Sequence, residues 1–158
     1  MLRLSVLLTM VLAASGAQAE WMVNASKGYA FDAPPGWRMA RPDYVLESRN
    51  GASLTQISLP PANGRGLKRV NYAATMMAGM RAGYRRTAQE FSMNGEGWQA
   101  YVTVFREPTR YGIGPRNVLQ FVTKAGEQYR LFYLALPARE WNQNPARYKK
   151  LLASYRIK

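Results

Sequence analysis

Apolar and polar residues alternate through Tyr29, Ala30, Phe31, Asp32 and Ala33. That period of two places Tyr29, Phe31 and Ala33 on one buried face of a β-strand. Pro34 and Pro35 lack the N–H that a ladder needs. Gly36 permits the bend after them, which leaves Trp37 to fold back as a large apolar anchor of the core. Two extended runs, 44–49 and 52–59, flank Asn50-Gly51. Asn-Gly between strands is a strong hairpin signal, because both central residues of the turn take positive φ. A two-residue loop there pairs Ser48 with Ser53, Leu46 with Thr55 and Tyr44 with Ile57, and Pro60-Pro61 ends the second strand.

Beyond a loop over 63–66 the apolar spacing changes to three and four. Val70, Ala73, Ala74, Met77, Met80 and Tyr84 predict a helix over 67–83, with its methionines as adaptable core filler and Gly83 as terminator. Four strands follow: 86–94, then Gly95-Glu96-Gly97 into 98–107, a loop, 116–124, then Ala125-Gly126 into 127–136. The last contains YRLFYLAL from Tyr129, apolar on both faces apart from Arg130. A strand apolar on both sides must be covered on both sides. The second cover is a C-terminal helix with Asn144 as N-cap and Pro145 as first helical residue. Tyr148, Leu151, Leu152 and Tyr155 form its apolar stripe, with Trp141 just ahead. The expected fold is α+β, an antiparallel sheet flanked by helices on both faces.

The first nineteen residues read as a leader rather than as part of that fold. Met1-Leu2-Arg3 is a short basic start, 4–14 are apolar apart from Ser5 and Thr9, and Ser15-Gly16-Ala17-Gln18-Ala19 supplies the small residues of a cleavage site. This is the order of a secretory signal peptide, cut after Ala19, and its apolar run is short of the roughly 20 residues that span a bilayer. Residues 20–158 are then one domain on size, soluble and without an integral membrane segment, in the periplasm or secreted. The chain has no cysteine, so neither lipid attachment at a mature N-terminal cysteine nor a disulfide framework is available.

Charge narrows the partners. The chain carries 22 Lys and Arg against 9 Asp and Glu, a net +13, and only Arg3 of these lies in the leader. Such a field draws anionic partners over a range set by salt. Outside the cytoplasm nucleic acid is not expected. An envelope protein or assembly, an anionic membrane surface or a cell-wall polymer is.

Chemistry is narrowed further. Without His or Cys, Ser-His-Asp and Cys-His mechanisms are impossible, as are ordinary zinc sites. The acids are scattered with no metal-loop spacing. Gly112-Ile113-Gly114 lacks both the strand–helix context and the Lys-Ser/Thr end of a phosphate loop. A carboxylate pair assembled from distant strands, as in glycosidases, is left open, and so is a Ser-Lys pair, though no motif supports one. The expectation is a protein that is not an enzyme and holds no cofactor or metal.

Tyr29, Phe31, Pro35, Gly36 and Trp37, the turn from Pro137 to Trp141 and the closing Leu151-Leu152-Ala153-Ser154-Tyr155 carry a resemblance. With the order of elements, they look like the fold shared by PsbP-type photosystem extrinsic proteins, bacterial DcrB-like envelope proteins and the Ran-binding import factor of the same shape. The resemblance implies an antiparallel sheet between helices, and docking, chaperone or assembly roles with no common enzyme activity. Any His-based metal site known in PsbP relatives has no counterpart here. Members of one fold differ in function, so no partner follows from the shape.

The candidate contact is EPTRYGIGPR, residues 107–116, a long connection where loops of 2–5 residues are usual. It carries Arg110, Tyr111 and Arg116, with Arg106 just before it. Arginine forks onto carboxylate or phosphate, and tyrosine adds a stacking face with a hydroxyl. Further cations cluster at Arg65, Lys68 and Arg69, at Arg81, Arg85 and Arg86, and at Arg147, Lys149 and Lys150. Two readings follow: an accessory module that docks on a larger envelope protein or assembly, or a binder of an anionic envelope ligand such as a lipid head group or polymer. A packed core with an exposed sheet edge or a flat basic face favours the first. A deep apolar pocket beside arginines favours the second.

Overall fold

The computed structural model describes residues 20–24, 27–41, 45–48, 51–59, 61–109 and 114–158. The expected leader therefore lies outside the described residues, as do Arg110 and Tyr111. Strands β1 (Glu20–Asn24) and β2 (Tyr29–Ala33) pair antiparallel, and a short C-terminal strand, β10 (Arg156–Ile157), pairs with the other edge of β2. The remaining strands are β3 (Trp37–Arg41), β4 (Val45–Ser48), β5 (Ser53–Ile57), β6 (Arg85–Gly95), β7 (Trp98–Glu107), β8 (Arg116–Ala125) and β9 (Gln128–Pro137). They form a seven-stranded sheet in the order β3-β4-β5-β9-β8-β7-β6, with every pair antiparallel. Helix α1 (Leu67–Ala82) covers one face; α2 (Ala138–Gln143), α3 (Pro145–Ala153) and the small sheet cover the other.

The bend after β2 takes the form its residues dictate. The Trp37 N–H bonds back to the Pro34 carbonyl at 3.3 Å, with Pro35 and Gly36 as the central pair and Gly36 at φ +87°. Proline and then a positive-φ glycine at these places make a type II turn. The turn carries the chain from the small sheet to the large one. Trp37 opens β3 and is buried in the main core, as expected of an anchor.

That core lies between β2, β7, β8, β9 and α3. Phe31, Phe121, Phe132 and Tyr155 meet one another with ring centroids 5.2–6.4 Å apart. Tyr29 and Trp98 extend the cluster, Tyr29 against Phe132 at 4.9 Å and Trp98 against Tyr155 at 5.3 Å. On α3, Tyr148, Leu151 and Leu152 are buried in the predicted stripe, and Tyr155 follows it. The alternation in β9 is visible on both faces: Phe132 and Leu134 enter this core, while Leu131 meets Val70 and Ala74 of α1.

Three expectations need correction. The hairpin over Asn50-Gly51 pairs Val45 with Thr55, Leu46 with Leu54 and Glu47 with Ser53, one residue out of the predicted register. An odd rather than even number of residues therefore lies between each pair of partners, with Gly51 at φ +83°, and a one-residue slip exchanges the faces. Next, α1 ends at the predicted glycine, Gly83 at φ +66°, but is rotated by roughly one residue, about 100°, from the predicted stripe. Its buried residues are Val70, Asn71, Ala74, Thr75 and Ala78, and Met80 is 82% exposed.

The cause of that rotation is a buried polar network. Asn71 Nδ2 donates to Thr103 Oγ1 of β7 at 3.0 Å. Gln120 Nε2 of β8 donates to Asn71 Oδ1 at 2.9 Å and to Thr75 Oγ1 at 3.0 Å. Thr103 and Gln120 are fully buried beneath the helix, and a buried polar group left without a partner is costly. The helix therefore turns its amide and hydroxyl inward and Met76 and Met80 outward.

The third correction is at the ends. Strands β1 and β10 and helix α2 lie outside the predicted elements, as does β3 after the opening turn. A buried Arg130 ties two of them down: Nη1 donates to Tyr155 Oη and Nη2 to the Lys27 carbonyl, each at 2.8 Å. Its guanidinium also lies 5.8 Å from the Tyr29 ring centre.

Candidate functional site

Strand β6 is an edge of the large sheet, and most of its residues are exposed. At its start Arg85 stands directly opposite Arg106, near the end of β7, and both are exposed. Thr103 and Phe105 of β7 meet α1, so Arg106 lies on the other side of the strand, the side of Val104. Like charges facing each other across an antiparallel pair destabilise it unless an outside anion compensates. Next to Arg106, Glu107 pairs with Arg116 across β7 and β8, with Arg116 Nε 2.8 Å from Glu107 Oε2. Arg116 is thus engaged within the chain at the base of the loop, whereas Arg106 points outward. Residues 108–115 connect these strands; Gly114 and Pro115 are exposed, and the Pro115 carbonyl accepts from the N–H of Ala138 at the start of α2. Of the four residues singled out in the sequence, the structure places Arg106 and Arg116 at one end of the sheet, one position apart in register and therefore on opposite faces.

Arg85 was read only as part of a helix-terminal cluster. Its position opposite Arg106 depends on a register shift in the pairing of β6 between Arg86 and Glu90, which sequence periodicity does not reveal. Arg86, one residue on, forms an ion pair with Glu90; with Arg86 as the main cause, Glu90 is held below the usual carboxylate range.

A second basic region lies around the opening turn. Asp32, Pro34, Pro35, Arg147, Lys150, Leu151, Ala153, Ser154 and Arg156 line a depression of about 420 Å³. Its floor is tied by hydrogen bonds: the Asp32 N–H donates to Ser154 Oγ at 2.8 Å, and Ser154 Oγ donates to the Leu151 carbonyl at 2.6 Å. Arg156 donates to the Tyr155 carbonyl at 3.0 Å. Among the described residues no group of three or more His, Cys, Asp or Glu is placed to hold a metal, and no helix is long and apolar enough to cross a membrane.

The chain matches the solution structure of cyanobacterial PsbP (CyanoP) from Synechocystis sp. PCC 6803. The TM-score is 0.63, over 92% of this chain and 96% of that one. The fold is that of PsbP. Sequence identity is only 15%, so the likeness is one of architecture. No protein family and no curated protein matches the sequence. A PsbP-like frame accounts for the helix-covered sheet and leaves its edges and end loops as the variable surfaces.

Proposed function

We propose that this PsbP-like chain is a non-enzymatic accessory protein of the periplasm or the secreted fraction. It docks on a larger envelope protein or assembly through the end of the sheet that carries Arg106 and Arg116, together with Arg110 and Tyr111 of the sequence between them. The observation that carries this reading is the exposed pair of Arg85 and Arg106, directly opposed on an edge strand with its neighbour. An acidic partner surface relieves that repulsion and is steered to it by the net positive field. Rings fill the core between the sheet and α3, which supports a surface rather than an interior as the site. The test is affinity capture from the native envelope at low and high salt. Replacing Arg85, Arg106, Arg110 and Tyr111 together by Ala is expected to abolish capture of a discrete partner and leave the melting temperature nearly unchanged. Full capture by the folded variant contradicts the reading.

The depression beside Pro34 and Pro35 supports a second reading, a binder of an anionic head group or polymer, since Arg147, Lys150 and Arg156 outnumber Asp32 there. Calorimetric titration with glycerol phosphate separates the two. Saturable binding lost in Arg147→Ala/Lys150→Ala favours the ligand, and no heat at low salt removes it.

A further inference from the structure

The outward face of α1 is more apolar than a solvent face should be. Tyr72 is 60% exposed, Met76 50% and Met80 82%. Four residues apart on a helix, they line up over about 12 Å along one side. Soluble helices put their polar residues on this side. Here the side-chain amide of Asn71 and the hydroxyl of Thr75 are buried on the sheet instead, so the helix cannot turn its methionines in without orphaning Thr103 and Gln120.

Cations frame the apolar line. Arg65, Lys68 and Arg69 stand exposed at its N-terminal end and Arg81 at its C-terminal end, where Arg86 is already paired with Glu90. The sequence holds no acid between Glu47 and Glu90. We infer that α1 lies flat on an anionic lipid surface, with Tyr72, Met76 and Met80 entering the head-group boundary and the flanking cations meeting lipid phosphates. An apolar face rimmed by Lys and Arg is the pattern of an interfacial helix, and basic residues near the surface add attraction to anionic lipid. The feature is a ridge, which a lipid surface accommodates without a matching groove. A second copy of the chain brings the same cations and is repelled. The inference does not rest on the docking reading, since Arg106 lies on the opposite face of the sheet.

The experiment uses the protein beginning at Glu20 and vesicles of phosphatidylglycerol and phosphatidylcholine in equal parts, with pure phosphatidylcholine as control. The chain has no native cysteine, so Met80→Cys and, on α3, Ala153→Cys each give one site for an environment-sensitive dye. At low salt the dye at position 80 is expected to shift to the blue with anionic vesicles only, the dye at 153 to stay unchanged, and added salt to reverse the shift. Met76→Ser/Met80→Ser is expected to sediment with these vesicles at least tenfold more weakly while melting like the parent. The inference is overturned by absence of binding to anionic vesicles at low salt, or by equal binding to neutral ones. It is also overturned by binding that shifts only the dye at 153. A shift at position 80 with lipid-free envelope proteins but not with vesicles assigns the ridge to a protein partner and overturns it equally.

Discussion

Replacing Asn71 by Ala tests the packing argument most sharply, because it changes nothing on the surface. The amide of Asn71 supplies the donor to Thr103 Oγ1 and the side-chain acceptor for Gln120 Nε2, at 3.0 and 2.9 Å. Without it the Thr103 hydroxyl loses that donor in a fully buried place. Gln120 keeps Thr75 Oγ1 and the Asn71 carbonyl, at 3.0 and 3.2 Å. One strongly affected group and one weakly affected group, at about 1–3 kcal/mol for a buried polar atom left unpaired, with a small void, give a loss of roughly 2–4 kcal/mol. For a chain of this size that lowers the melting temperature by about 6–15 °C. Thermal unfolding followed by circular dichroism, with urea unfolding at 25 °C, reads it. As control, Tyr72→Ala on the outward face of α1 is expected to stay within about 0.5 kcal/mol of the parent. The triple change Asn71→Leu/Gln120→Leu/Thr103→Val is expected to regain much of the lost stability, because removing all partners leaves no orphan. Melting of Asn71→Ala within a degree or two of the parent would refute the claim that this network holds α1 in its observed rotation.

Further outcomes follow from the same contacts. Trp37→Ala is expected to cost about 3–5 kcal/mol, seen as a sharply lower melting temperature, because the residue is buried in the main core. Gly95→Ala is expected to unfold at markedly lower urea concentration than the parent, since a Cβ there would fall 2.3 Å from Cε2 of the buried Trp98. The Tyr133 phenol is pushed up to about 12, first by burial and then by Tyr84, against the opposing effect of Arg81. Its folded value lies above its unfolded value near 10, so its contribution to stability is complete below pH 10 and is lost as pH rises from 10 to 12. Tyr133→Phe, followed by alkaline melting, should lose less stability over that window than the parent.

Where periodicity and turn chemistry were strong, the sequence was legible. The alternation of Tyr29 and Phe31, the Pro-Pro-Gly turn before Trp37, the stripe on α3 and the glycine that ends α1 all lie where their physics puts them. The rotation of α1 was not legible, because the inward choice of Asn71 over Met80 depends on Thr103 and Gln120, polar residues more than thirty positions away. The register at Asn50-Gly51 depends on loop length, which a dipeptide does not specify. Strand β10 is only two residues long, too short for a pattern, and exists because β2 offers an edge. At the candidate site the composition of the loop was readable, but the internal pairing of Arg116 with Glu107 and the confrontation of Arg85 with Arg106 both come from strand register.

Photo-cross-linking in the native envelope, from a photoreactive amino acid at position 106, tests the docking account most directly. The account predicts a discrete heavier species that forms at position 106, is absent from the same probe at position 153, and weakens with added salt or with Arg85→Ala. An exported, folded protein that gives no cross-link at 106, or the same products from both positions, would contradict it.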